Sequence, residues 1–324
     1  MIRTRITDLL NIRYPILQGG MQWLSRAELA AAVSEAGGFG IITAGSFSSP
    51  KELREEIGKM RGMTDKPFGV NISMLPTVPL GERIQDYFDV VCQENILAVE
   101  TAGRSPEPYV EQLKKAGIKL IHKVPAVRYA KKAESLGADA VAIVGFECGG
   151  HFGMDDATNF IKIPKTAETV KIPVIAGGGI GDARGFMAAL ALGAEGIVMG
   201  TRFLATQECP IHPRFKEWIL QAQEADTMII QRSIRNTNRV MENKAAAAVL
   251  EMETRGATLE ELMTIISGQV GKKAEETGDL DSATIACGQV IGLIRDIPTV
   301  KELIERMMRE VESVLGRLNG FFRG

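Results

Sequence analysis

Short apolar, β-branched runs recur along the chain at intervals of roughly 20 to 35 residues, and each is followed by a segment with helical spacing. The runs predict strands at Tyr14–Gln18, Gly38–Thr43, Phe68–Ser73, Leu97–Thr101, Lys119–Val124, Ala140–Val144, Val174–Gly177 and Gly196–Gly200. The segments between them predict helices at Arg26–Ala36, Pro50–Arg61, Gly81–Glu94, Pro106–Ala116, Ala126–Leu136, Pro164–Val170 and Asp182–Leu192. Several of these close on AGG, AGI, LGAD or LGAE, where glycine suits a left-handed C-cap. Runs that are apolar throughout, such as AVAIV, suit a parallel sheet covered by helices on its outer side. Eight such units predict an α/β fold, a (β/α)8 TIM barrel. An open doubly wound sheet would place GxGxxG after its first strand, and the chain has none there.

After Phe203 the pattern changes. The segment from Thr206 to Ala286 loses the strand-like runs and reads as helices in HPRFKEWILQAQEA, NKAAAAVLEMETRG and LEELMTIISGQVGKKAEE. A long charged amphipathic stretch near Thr299–Leu318 then supplies the eighth helix of the barrel. The expected organisation is a barrel of residues 1–205 and 287–324, with residues 206–286 as a smaller helical cap inserted after strand eight.

Composition narrows the function. A net charge of −2 over 324 residues gives no basic face for nucleic acid. The cysteines, Cys92, Cys148, Cys209 and Cys287, form no CxxC pair, so neither a metal site nor a disulfide framework is expected and a reducing cytoplasm is the natural setting. The first twenty residues lack the apolar core of a secretion signal. No run approaches the ~18 apolar residues that would span a membrane.

In barrels of this kind the site forms at the C-terminal ends of the strands, with phosphate held after strands seven and eight. Those turns read AGGGIGDARG and MGTRF. Gly177, Gly178 and Gly179 let backbone N–H groups approach an anion closely, the helix starting near Asp182 adds its positive dipole end, and Gly200 and Thr201 offer a second N–H cluster with a hydroxyl. Strand one ends in QGGMQW, where Gly20, Met21 and Gln22 can lie against a flat ring. Strand three places Asn71 at the mouth, and strand five places Lys123 there, either to stabilise negative charge on a reduced ring or to pair with a carboxylate at the rim. The loop GFECGGHFGMDD carries His151 between glycines, a donor or proton-transfer group near neutral pH. Cys148 has no adjacent base and reads as a small filler. His122 is expected to face the helices, and His212 to cap one.

These residues, in this order, resemble the nitronate monooxygenase (2-nitropropane dioxygenase-like) superfamily, which also contains the FMN-dependent enoyl-ACP reductases. PILQGGMQW, KPFGVNISMLP, HKVPAVRYAKKAESLGADAV, GFECGGHFGMDD, PVIAGGGIGDARG and MGTRFLATQECPIHP carry the resemblance across nearly the whole chain. FGVNISMLP, FECGGH, QRSIRNTNRV (Gln231–Val240) and SGQVGKK are most similar to bacterial NADH:quinone reductases. The resemblance implies FMN contacts at Gly20, Met21, Gln22, Asn71, Lys123, Gly150, Gly178, Gly179, Gly200 and Thr201, and a catalytic role for His151. It implies a hydride path from NADH or NADPH to a quinone-like acceptor, with nitronate oxidation and enoyl-ACP reduction as the alternatives. Cys148 stands where the enoyl reductases carry serine, and Phe152 where nitronate oxidisers carry a basic residue. Arg232 and Arg235 are candidates either for nucleotide phosphates or for structural salt bridges, and a homodimer is compatible with the family.

Overall fold

The computed structural model describes residues 2–74 and 82–322. Gly81, expected to open the third helix, Leu75–Pro76 of the FGVNISMLP block, and the terminal Met1, Arg323 and Gly324 lie outside the described residues. Eight parallel strands form the barrel: β1 Ile16–Gln18, β2 Gly40–Thr43, β3 Phe68–Met74, β4 Ala98–Gly103, β5 Lys119–Val124, β6 Ala140–Val144, β7 Val174–Gly177 and β8 Gly196–Met199. Each pairs with its sequence neighbour from β2 to β8, and β8 pairs with β1. The last seam, β1 to β2, closes through a parallel bridge between Leu17 and Phe39, with Gln18 N–H donating to Phe39 C=O at 3.0 Å.

A short helix, α1 (Arg5–Leu10), precedes the barrel, and α2 (Ala27–Glu35), α3 (Pro50–Met63), α4 (Glu82–Gln93), α5 (Val110–Lys115), α6 (Val127–Leu136), α7 (Asn159–Thr169) and α8 (Ala183–Ala191) follow β1 to β7. After β8 come α9 (Thr201–Leu204), α10 (Pro213–Gln221), two further strands β9 (Thr227–Ile230) and β10 (Asn238–Met241), then α11 (Lys244–Thr254), α12 (Leu259–Ile266), α13 (Gly268–Thr277) and α14 (Val300–Phe321). The last of these packs against α8 and α2 and completes the helical ring.

Alternation along the strands sorts the core into two shells. Leu17, Phe39, Ile41, Ala98, Ile121, Ile175 and Val198 fill the barrel interior, while Val70, Val99, Leu120, Val124 and Val141 meet the helices. Helix α1, which the strand-and-helix pattern did not predict, plugs the N-terminal end. Ile6 and Leu10 join the interior cluster, and Thr4 caps the helix while its hydroxyl donates to Glu195 C=O at 2.7 Å. Where α2 crosses β2 only glycine fits, since a Cβ on Gly40 would lie 2.0 Å from Ala30 C=O.

Three expectations need correction. The segment 206–286 is not purely helical, because β9 and β10 form an antiparallel hairpin with Thr227 opposite Met241 and Ile230 opposite Asn238. Its apolar alternation lasts only four residues per strand. Ile230 and Val240 pack with Ala246, Val249 and Leu262 in a separate small core. The single stretch LEELMTIISGQVGKKAEE is two helices, broken at Ser267, whose ψ of 143° is extended. Helix α7 begins at Asn159 rather than at Pro164. The Glu147 carboxylate accepts from the Asn159 amide at 3.1 Å and anchors an earlier first turn, and Pro164 sits inside the helix at the cost of one backbone bond.

Candidate active site

At the C-terminal mouth, Gly178 and Gly179 adopt φ of +96° and +73°, which a side chain would resist. A Cβ on Gly178 would also strike Cys148, 2.8 Å away. Asn159 Nδ2 donates to the carbonyls of Gly177 and Gly178 at 3.0 and 2.7 Å. In a trans peptide N–H points opposite to C=O, so the amides of Gly178 and Gly179 are turned away from α7. Thr201 opens α9, so its amide is one of the first-turn donors without a helical acceptor. The Thr201 hydroxyl accepts from Gly288 N–H at 2.9 Å and keeps its own hydrogen to donate. The N-terminus of α8, expected to help, is already capped: Asp182 accepts from the amides of Arg184 and Gly185 at 2.9 and 3.1 Å. Burial alone would raise Asp182, but Arg184 and these amides outweigh it and hold the carboxyl below its ordinary value.

The β1 turn joins this rim. A methyl on Gly200 would come within 3.7 Å of the Met21 sulfur, and one on Gly20 within 2.5 Å of the Asn71 side chain. Gln22 is carried outward, where its Nε2 donates to Gly45 C=O at 3.3 Å beside Gly268. Its neighbour Trp23 donates from Nε1 to Gly268 C=O at 2.8 Å, tying this turn to the junction of α12 and α13.

Inward register brings Asn71, Glu100 and Lys123 together. Glu100, which the sequence reading passed over, is 1% exposed at its side chain and forms an ion pair with Lys123. It also accepts from Asn71 Nδ2 at 3.3 Å. Burial alone would lower Lys123, but Glu100 outweighs it and holds the ammonium above its ordinary value. A lone acid in step with Ala98 and Ala102 in AVETAG was the available signal. The Thr43 hydroxyl, in inward register with Phe39 and Ile41 and opposite Asn71 across the ladder, is buried and unpartnered.

On the other side, the loop after β6 is stitched to the hairpin. Gly150 N–H donates to Arg239 C=O at 2.9 Å and Arg239 N–H returns to Gly150 C=O at 3.0 Å, so the Gly150 amide is committed within the protein. Gln289 N–H donates to Glu147 C=O at 3.1 Å, which adds the 287–289 segment to the same wall. The Arg239 guanidinium is held by Phe146 C=O at 3.1 Å and the Thr227 hydroxyl at 2.8 Å, and lies 4.6 Å over the Phe146 ring. Burial pushes its pKa down. Phe152 is fully buried and packs edge-on against Phe146 beneath this guanidinium.

His151 Nδ1 lies 3.1 Å from Asn236 C=O and 3.3 Å from Thr237 C=O. Carbonyls only accept, so Nδ1 carries the hydrogen, and Nε2 of the neutral ring is left as an acceptor. The ring edge is open to solvent, yet the surrounding protein pushes the pKa down against the two carbonyls, which favour the protonated form. Cys148 is pushed up to about 11 by burial and stays a thiol. His122 faces the helices with Nδ1 2.8 Å from the Thr101 hydroxyl, and burial lowers it to about 4. His212 caps α10, its Nδ1 accepting from Arg214 N–H at 3.3 Å. Arg232 pairs with Asp156 at 2.7 Å, the salt-bridge alternative, and Arg235 is exposed.

A (β/α)8 barrel whose C-terminal mouth gathers left-handed glycine turns, an inward lysine–carboxylate pair and an imidazole is built as barrel enzymes are, with the polar groups at the strand ends. A sequence profile of the nitronate monooxygenase family matches residues 3–310, and the chain belongs to that family, whose members are flavin-dependent oxidoreductases. FabK from Thermotoga maritima has 40% sequence identity over 99% of this chain and 100% of its own, with a TM-score of 0.92. The (3aS,4S,5R,7aS)-5-hydroxy-7a-methyl-1-oxo-octahydro-1H-indene-4-carboxyl-CoA dehydrogenase of Rhodococcus jostii is 32% identical over 95% of this chain and 96% of its own. A probable nitronate monooxygenase of Staphylococcus saprophyticus is 31% identical over 98% of this chain and 99% of its own. No described helix is long and apolar enough to cross a membrane.

Proposed function

We propose that this chain is an FMN-dependent oxidoreductase that uses NADH or NADPH to reduce the carbon–carbon double bond of an enoyl thioester. The observation that carries this reading is His151, whose Nδ1–H is committed to two carbonyls while Nε2 is left to exchange a proton with a substrate. The similarity to FabK, an enoyl-ACP reductase, and to a CoA-thioester dehydrogenase supports the thioester.

The rim fits a flavin mononucleotide. The turned-out amides of Gly178 and Gly179 and the first-turn amide of Thr201 suit its phosphate. The orphaned Thr43 hydroxyl and Asn71 suit the polar edge of its ring. Bound there, FMN would supply hydride chemistry between nicotinamide and substrate. The protein's own share is proton handling and placement. Glu100 holds Lys123 charged beside the ring site, and the protonated imidazole gives its Nε2 proton to the carbon next to the thioester carbonyl. It then returns to the neutral Nδ1–H form and is reprotonated from solvent. Hydride and proton together saturate the double bond. A lowered pKa makes the protonated ring a stronger acid for this step.

The second reading is a quinone-like acceptor, favoured by the Gln231–Val240 segment, although its turn is accounted for here by holding His151. Four unpaired thiols support a reducing, cytoplasmic setting. The test is anaerobic turnover of NADH and NADPH with crotonyl-thioester or a quinone, beside aerobic turnover of a nitronate. Crotonyl-thioester should give the highest kcat/KM. A higher value for the quinone or the nitronate overturns the thioester assignment.

A further inference from the structure

We propose that Glu253, on α11, is a positioning residue for His151 that acts through the turn 231–237. The inference rests on His151 being the proton-transfer group. That turn joins β9 to β10 and contains two non-glycine residues in left-handed backbone, Gln231 at φ 65° and Arg235 at φ 56°. Such residues persist only where surrounding contacts over-determine them. Glu253 supplies those contacts. Its carboxylate accepts from Gln231 N–H at 2.7 Å, Ser233 N–H at 2.8 Å and the Ser233 hydroxyl at 2.7 Å. Gln231 passes the constraint along the turn. Its backbone carbonyl accepts from Asn236 N–H at 3.0 Å, and its side-chain oxygen accepts from Asn236 Nδ2 at 3.1 Å. The next two carbonyls, of Asn236 and Thr237, are the ones that hold His151 Nδ1. Thr237 also donates its hydroxyl to the Met154 sulfur at 2.9 Å, so the turn grips the histidine loop from both ends.

A carboxylate outside the barrel thus selects the tautomer of an imidazole at the barrel mouth. Without it the turn relaxes, the two carbonyls drift, and the neutral ring is free to keep its hydrogen on Nε2, which leaves the imidazolium without the Nδ1–H anchor that aims its Nε2 proton at the substrate.

The chain has three histidines, and ¹⁵N-histidine NMR can read all of them. His212 is an internal control of opposite sign, because its Nδ1 accepts from a backbone amide and its hydrogen therefore sits on Nε2. Wild-type protein at pH 8 should show His151 with hydrogen on Nδ1. Glu253→Ala should shift it to a mixture while His212 stays unchanged, with kcat falling at least about tenfold and KM for the nicotinamide little altered. If Glu253→Ala fails to fold, Glu253→Gln carries the test, since its single carbonyl oxygen cannot serve all three donors and the tautomer ratio must still move. A wild-type His151 with hydrogen on Nε2, or a folded variant with an unchanged ratio, overturns the proposal. The NMR readout needs no substrate, so a wrong thioester assignment and a wrong positioning role fail separately.

Discussion

The two sides of the barrel mouth are built by different means. On the β3–β5 side, Asn71, Glu100 and Lys123 come from consecutive strands whose alternation points them inward, and they meet side chain to side chain. On the β6 side, His151 and its loop are held by backbone groups of the hairpin and of residues 287–289, segments 80 or more residues away in sequence. The first arrangement is made by the barrel's own geometry. The second exists only when the inserted segment has folded onto it. Side-chain changes should therefore act through charge balance on one side and through proton transfer on the other.

The largest expected effect is on the β6 side. His151→Ala should lower turnover by about 10²–10⁴-fold while FMN remains bound, because general acid–base help is lost but no rim amide moves. Flavin absorbance and steady-state rates on one preparation check both halves. Unchanged kinetics would remove His151 from the reaction.

Next in size is a contrast between the half-buried Lys123 ammonium and the buried Arg239 guanidinium. Glu100→Leu leaves the Lys123 ammonium without its partner and should cost about 3–5 kcal/mol of unfolding free energy, with much of it recovered in Glu100→Leu/Lys123→Met. Among the described residues, the Arg239 guanidinium is held by Phe146 C=O, the Thr227 hydroxyl and aromatic faces rather than by a carboxylate. Arg239→Met should cost less, about 1–3 kcal/mol. Urea titrations of the four proteins rank these, and equal costs would erase the distinction.

The smallest effects are in pH dependence, where a barrel histidine and a carboxyl on α13 should have opposite slopes. His122 stays neutral in the fold down to about 4 but would protonate near 6.5 when unfolded, so its contribution is full above 6.5 and is lost as pH falls toward 4. Glu275, on α13, has an unpartnered buried oxygen and is pushed up to about 8 by burial, then by Glu276, from an ordinary 4.5. Its cost to stability therefore grows as pH rises from 4.5 to 8. Glu275→Gln should raise Tm at pH 8.5 and barely change it at pH 4.5. A gain of the same size at both would assign the effect to packing.

Much of this was legible in the sequence. Short apolar, β-branched runs located all eight barrel strands, since a covered parallel sheet demands them even where inward polar residues such as Asn71, Glu100 and Lys123 interrupt them. The glycine turns after β7 and β8 were legible in AGGGIGDARG and MGTRF, and Gly178 and Gly179 do take the left-handed backbone that glycine permits. Glu100 was within reach, as an acid in inward register and diagonal across the ladder to Lys123, one inward position on from Ile121. What escaped depends on long-range backbone pairing. Nothing local in TMII or NRVM says that they pair with each other, or that the peptide groups of Asn236 and Thr237 will face His151. The role of Phe152 escaped for the same reason, because it is set by Arg239 from the hairpin.

In the proposed enzyme, main-chain amides after β7 and β8 hold a flavin phosphate with the ring facing Lys123 and His151. A crystal structure of the FMN complex tests it most directly. The phosphate should lie on the amides of Gly178, Gly179 and Thr201, with the ring between Asn71 and His151. A phosphate seated elsewhere, or a rim closed by side chains in protein that takes up no FMN, would contradict it.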